Sequence, residues 1–199
     1  GSQKGSLSLA QLHAMIDANE RIKYDTRNRN LLKTRNALLL KFLYLTAARR
    51  SEAANLKWED LQQDGEFQVV ILQQTKSGEP QKLKLRRELF EELECWNETL
   101  KTNQIECEWV FPSLSFRTLG GKMSGKGVND VVSKLGSAIG LKISAHYLRH
   151  TAITLALELG EPLQKVQSYA RHASANTTIR YFHDQQFLEK NPTDRLPMI

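Results

Sequence analysis

Apolar residues along this chain recur mostly at helical intervals, and one stretch alternates. Leu9, Leu12 and Ile16 keep helical spacing behind Ser8, which forms a capping-box pattern with Gln11, so a first helix is predicted over Leu9 to Arg21. A basic, Asn-rich stretch from Lys23 to Lys33 leads into a second helix. There Leu38, Leu39, Phe42, Leu43 and Leu45 leave little room for a polar face, as in a helix buried nearly all round. Arg49-Arg50-Ser51-Glu52 and then Leu56, Trp58 and Leu61 read as a short helix dropping into a turn. The period then changes. Phe67 to Gln73 is β-branched with period two, Lys76-Ser77-Gly78-Glu79-Pro80 is a turn, and Lys82 to Leu85 alternates as the returning strand. This predicts an antiparallel hairpin with a lysine near its tip.

Helical spacing returns over residues 87 to 100, with Leu89, Phe90, Leu93 and Trp96 inward. Ser115 to Gly127 holds four glycines and is predicted as a loop, with helix resuming at Val128 and carrying Val131, Val132, Leu135 and Ile139 on one face. Leu148 to Leu159 makes the next helix, and Pro162 opens another at a position where proline is tolerated. The fold class is therefore mostly α (α+β): a compact helical domain with a small antiparallel β-hairpin or sheet. At 199 residues a single domain spanning 1–199 is expected, with residues 1–6 a cloning scar and flexible lead-in and 184–199 a C-terminal helix and tail.

Charge narrows the partners. Lys and Arg number 28 against 22 Asp and Glu, a net +6, which favours a polyanion such as nucleic acid. No apolar run approaches the roughly 18 residues that span a bilayer, so no membrane partner is expected. Cys95 and Cys107 lack metal-ligand companions at short spacing and read as plain thiols. Gly120-Gly121-Lys122-Met123-Ser124 lacks phosphate-loop spacing, and the acidic residues lack the pairing of a metal-dependent nuclease. No cofactor and no metal is expected, and electrophilic help must come from side chains.

Those side chains gather late in the chain. Tyr181 follows His146, Arg149, His150 and His172, with Arg49 and Lys76 upstream. The inventory suits phosphodiester chemistry: a phenolic nucleophile, donors for two non-bridging oxygens, and an acid for the leaving oxygen. Taken singly, each residue has a plainer reading. Arg49 beside Arg50 resembles a solvated surface pair, Lys76 a turn residue, the histidines satisfied core groups, and Tyr181 a packing aromatic. Arg149 could end in a structural salt bridge. With apolar neighbours such as Leu45 and Leu56, Arg49 is expected to need an anion.

Three ordered boxes favour the chemical reading together. Thr46-Ala47-Ala48-Arg49-Arg50-Ser51-Glu52 resembles the first arginine box of the tyrosine recombinase, or phage integrase, family. His146-Tyr147-Leu148-Arg149-His150 with Thr151 is similar to its His-x-x-Arg-His element, and Ala170-Arg171-His172 followed by Thr177-Thr178-Ile179-Arg180-Tyr181 to the stretch ending in its nucleophile. The resemblance runs from about Leu7 to His183 and implies the family's catalytic domain. It implies six catalytic positions: Arg49 and Arg149 as phosphate-clamping arginines, Lys76 in the hairpin turn, His146 and His172 as histidines, and Tyr181 as nucleophile. Glu52 and His150 would support them. Two departures stand out: Ala47 where the family usually has glycine, and Ala170-Arg171 in place of a Leu-Gly pair. Neither removes chemistry, but both reduce backbone freedom at positive φ.

The resemblance further implies attack by Tyr181 on double-stranded DNA, a 3′-phosphotyrosine and a free 5′-hydroxyl, in integration, excision or resolution. Partners would be DNA and a homo-tetramer on paired sites, with C-terminal helix exchange between copies as one arrangement and local packing as the other. The implied setting is the bacterial or phage-infected cytoplasm, on the nucleoid when bound to DNA. An N-terminal core-binding domain, common ahead of the catalytic domain in this family, is expected to be absent from these residues. Type IB topoisomerase-like relaxation and a non-catalytic DNA-binding module are the alternatives.

Overall fold

The computed structural model of the chain describes residues 5–73, 78–170 and 191–199. Ten elements follow in order: α1 (Leu9–Arg21), α2 (Arg29–Thr46), α3 (Arg50–Ala54), β1 (Leu61–Asp64), β2 (Phe67–Leu72), β3 (Gln81–Lys84), α4 (Arg87–Thr102), α5 (Gly125–Ser137), α6 (Ala145–Glu158) and α7 (Leu163–Ala170). Short 3-10 turns lie at Trp58–Asp60, Phe116–Thr118 and Pro192–Arg195. The architecture is mostly helical with one three-stranded antiparallel sheet, as the periodicity predicts.

The centre is α2. It packs against α1, α4, α5 and α6, so Leu39, Leu40, Phe42, Leu43 and Leu45 are fully buried. Each such side chain contributes roughly 1.5–3 kcal/mol relative to remaining in water. One charge lies within this packing: Arg35 donates to the Asn36 carbonyl oxygen Oδ1 and to the Pro112 main-chain carbonyl, each at 3.0 Å. Burial lowers its guanidinium to about 10, and it stays positive at neutral pH.

Helix starts follow the caps. The Ser8 hydroxyl accepts from Gln11 N at 3.1 Å while Ser8 N donates to Gln11 Oε1 at 2.9 Å, giving α1 its predicted bounds. Helix α5 begins at Gly125 and not at Val128, because Ser124 Oγ accepts from Gly127 N at 2.9 Å and brings two loop glycines into the first turn. It closes at Ser137, leaving Ile139 beyond the helix but packed on the core. Phe90, expected inward, is half-buried at the core margin.

The hairpin is a three-stranded meander. β1 runs antiparallel to β2 with Asp64 opposite Phe67, and Gly65 takes φ +62° in the two-residue turn between them. β3 pairs with β2 through Leu72↔Gln81 to Val69↔Lys84. β1 escapes the periodicity because Gln62 and Gln63 are both exposed, so its sequence shows no alternation.

The two ends of the chain are anchored where they are described. Ser6 and Leu7 are buried, and Leu7 N donates to Thr151 Oγ1 at 2.8 Å, so the lead-in is docked by residue 6. Residues 191–199 lie against their own chain. Thr193 Oγ1 donates to the Leu45 carbonyl at 2.8 Å, Arg195 pairs with Glu161 at 2.9 Å, and Asp194 pairs with Lys84. This segment is a 3-10 turn and tail, and residues 184–190, where the C-terminal helix is expected, fall outside the described residues. Among the described residues no helix is long and apolar enough to cross a membrane. Cys95 and Cys107 are free, and burial raises the Cys107 thiol.

Candidate active site

The first arginine box is built on the end of α2. Thr46 Oγ1 donates to the Phe42 carbonyl at 2.6 Å and accepts from Ala48 N at 3.2 Å, which closes the helix. Ala47 then turns left-handed, with φ 54° and ψ 29°, in a fully buried position. A non-glycine residue in that region costs roughly 1–2 kcal/mol, so packing and hydrogen bonds must hold it there. One of those bonds is on the Ala47 carbonyl itself, which accepts from Arg149 Nη1 at 2.6 Å.

Arg49 follows as the N-cap of α3. Its backbone N–H donates to Glu52 Oε1 at 2.8 Å, and its Nη1 lies 3.6 Å from Glu52 Oε2. The Glu52 side chain is fully buried and that of Arg49 is 21% exposed. The anion that Arg49 is expected to need is therefore already within its own box, and the guanidinium still borders open space. Glu52 stands behind it as the sequence suggests.

The second box lies on α6. Arg149 is 3% exposed, with Nη1 on the Ala47 carbonyl and Nη2 on that of Ala170. Those carbonyls close the C-terminal ends of α2 and α7, where helix dipoles favour a cation. Two main-chain carbonyls thus hold the guanidinium from either side. One turn earlier, His146 is exposed, and its ring centroid lies 6.4 Å from that of half-buried His150. His150 packs near Gly5. Helix α6 starts at Ala145, and its first N–H is taken: Ala145 N donates to Asn129 Oδ1 at 2.7 Å.

These elements enclose one cleft. Arg49, Arg50, Ser51, Asn129, Ser144, Ala145, His146 and Arg149 line a cavity of about 620 Å³, with no carboxylate among the described residues of its wall. Arg49 and Arg149, far apart in sequence, meet here with His146. Lys76, His172 and Tyr181 lie outside the described residues. Sequence reasoning missed Asn129, Ser144 and Ser51, and it left Arg50 as a solvated partner of Arg49 when it forms part of the wall. The Tyr169 hydroxyl donates to the Leu45 carbonyl, the acceptor shared with Thr193. None of these carries a local signature, because each acts through an element distant in sequence. Among the described residues no group of His, Cys, Asp or Glu is arranged to hold a metal ion.

Known proteins match this chain in sequence and in fold. The sequence profile of the phage integrase family matches residues 6–187. A tyrosine recombinase of Synechococcus elongatus is 31% identical over 85% of this chain and 53% of its own length. Tyrosine recombinase XerA of Pyrococcus horikoshii is 33% identical over 74% and 50%. The chain spans about half the length of these curated relatives. In structure, XerH recombinase in a pre-cleavage complex with its difH substrate has a TM-score of 0.68 at 23% identity, covering 93% of this chain and 52% of that one. The lambda integrase catalytic core has a TM-score of 0.59 at 18% identity, covering 84% and 91%. Both likenesses concern the fold.

Proposed function

The chain belongs to the phage integrase family, and we propose that it cuts and rejoins double-stranded DNA at specific sites through a 3′-phosphotyrosine at Tyr181. The observation that supports this best is the cleft in which Arg49, Arg149 and His146 converge, with no carboxylate among the described residues that line it. A phosphodiester bound there meets two guanidinium forks, the residue type suited to gripping non-bridging oxygens. Arg149 is held in advance by its two carbonyl partners, so little of its freedom is lost on binding.

In the proposed reaction the Tyr181 oxygen attacks phosphorus and the bond to the 5′ oxygen breaks. A phenol is a weak nucleophile at neutral pH, its reference pKa being about 10. Its proton passes to a histidine of the site, His146 or His172, and the other histidine donates to the phosphate as charge develops. Lys76 returns a proton to the departing 5′ oxygen. The covalent link keeps one phosphodiester-type bond throughout, so a 5′-hydroxyl from a second strand reverses the step and joins exchanged strands without ATP. Integration, excision or resolution then depends on which sites are paired. The assembly that fits is a homo-tetramer on paired sites, and a tetramer on a Holliday junction is known for lambda integrase. Exchange of a C-terminal helix between copies would draw on residues 184–190, ahead of the locally docked tail.

A suicide duplex carrying a recombination site, selected from a randomised library, tests the reading. The protein should form a denaturation-resistant adduct with it, and Tyr181→Phe should abolish that adduct. Persistence of the adduct in the variant refutes the assignment.

A further inference from the structure

Helix α6 carries both His146 and Arg149, yet it lacks a cap of its own. Ser144 sits at the N-cap position with extended backbone, but its hydroxyl makes no capping bond. The acceptor comes instead from α5: Asn129 Oδ1 receives the Ala145 N–H at 2.7 Å. Ala145 is only 2% exposed, so without that acceptor its N–H would be left unsatisfied.

This bond fixes which way the Asn129 amide faces. An asparagine side chain has one accepting oxygen and one NH2 with two donors, and only the oxygen can receive an N–H. Nδ2 is therefore at the other end of the amide, and no described residue accepts a hydrogen bond from it. Asn129 lines the same cleft as Arg49, His146 and Arg149. Among the described residues of the wall there is no carboxylate for an amide donor held there to turn to.

We infer that Asn129 has two roles: Oδ1 caps α6, and Nδ2 donates to a non-bridging oxygen of the phosphodiester held by Arg49 and Arg149. The inference rests on the phosphodiester reading of the cleft and adds a neutral third donor to it. Because the cap joins α5 to α6, the same side chain also sets the height of His146 and Arg149 relative to the bound phosphate. Asn129 is thus a substrate contact and a positioning residue together.

The test uses the full chain, 15N-labelled, titrated with the dinucleotide dTpdT, which carries one phosphodiester and no recognition sequence. The Asn129 NH2 pair, identified by its loss in Asn129→Asp, should shift together with the Nε–H signals of Arg49 and Arg149. Asn129→Asp keeps a capping oxygen but replaces the donor with a charge, so it should retain the native melting temperature. It should also weaken dTpdT about tenfold or more, the scale of a lost hydrogen bond to a charged group. The uncharged methylphosphonate analogue should lose much less, since the introduced carboxylate then has no phosphate charge to repel. If the arginine signals shift and the Asn129 NH2 pair does not, the inference is wrong and the cleft reading stands. If none of them shifts, the cleft is not a phosphodiester site at all. Should Asn129→Asp fail to fold, the titration of the unsubstituted protein still decides between these outcomes.

Discussion

Arg149 joins two helix ends by donating to the carbonyls of Ala47 and Ala170. Its role in the fold is therefore as large as its proposed role in chemistry. Arg149→Ala would leave two buried carbonyls without their donor, at about 3 kcal/mol in total. Thermal unfolding should record a fall in Tm of about 6–12 °C for a chain of this size. Arg149→Lys should recover only part of this, because an ammonium cannot reproduce a planar fork between two acceptors. A Tm unchanged in Arg149→Ala would mean that neither carbonyl depends on the guanidinium. At the neighbouring Ala47 the residue type itself points to a constrained backbone. Alanine where glycine is usual signals lost backbone freedom, and the residue does adopt positive φ. What the sequence could not disclose is why alanine is tolerated, since the compensating bond comes from α6.

At the scale of elements, periodicity identified every long helix and the β2–β3 pair, while errors fell where a cap or a turn decides the boundary. Val128 seemed to start α5 because its apolar face starts there, yet Ser124 caps the helix a turn sooner. β1 was lost because an edge strand with two exposed glutamines has no hydrophobic alternation to display. Contact between α5 and the chain leading into α6 is set by Gly136, where an added Cβ would lie 2.5 Å from Ile143 Cγ1 and 2.9 Å from its Cδ1. Gly136→Ala should therefore destabilise by about 1–3 kcal/mol through overpacking, despite alanine's better helix propensity. In an Ile143→Ala background the same substitution should cost clearly less, with only the Leu141 carbonyl oxygen at 3.2 Å still close, as chemical denaturation of the two pairs would record. Equal costs in both backgrounds would remove Ile143 as the cause. The hairpin's proposed part in the chemistry is Lys76, which falls in the sequence between β2 and β3. Lys76→Ala should slow cleavage of an ordinary phosphodiester but scarcely affect a substrate with 5′-bridging sulfur, because a thiolate leaves without a proton. Equal slowing on both substrates would make Lys76 a positioning residue and move the search for the acid to His146.

For the molecule as a whole, the fold's purpose is to bring boxes distant in sequence onto one cleft. Helix α2 supplies Arg49 at its end, α6 supplies His146 and Arg149, and α5 closes the wall with Asn129. Arg49, His146 and Arg149 stand out as candidates in the sequence because each box keeps a local spacing. Their convergence depends on how α2, α5 and α6 pack, which no single stretch encodes. The tail adds a link between the chain's end and the first box, since Thr193 shares the Leu45 carbonyl with Tyr169 two residues before Ala47. The central claim is that the two arginines stabilise a phosphate in the act of transfer and do more than hold DNA to a basic surface. Cleavage rate and dissociation constant, measured on one oligonucleotide for Arg49→Ala and for Arg149→Ala below its melting temperature, test it most directly. Loss of one transition-state donor should lower cleavage by about 10²-fold or more while binding weakens far less. Equal losses in cleavage and binding would contradict it and assign both arginines to ground-state attachment.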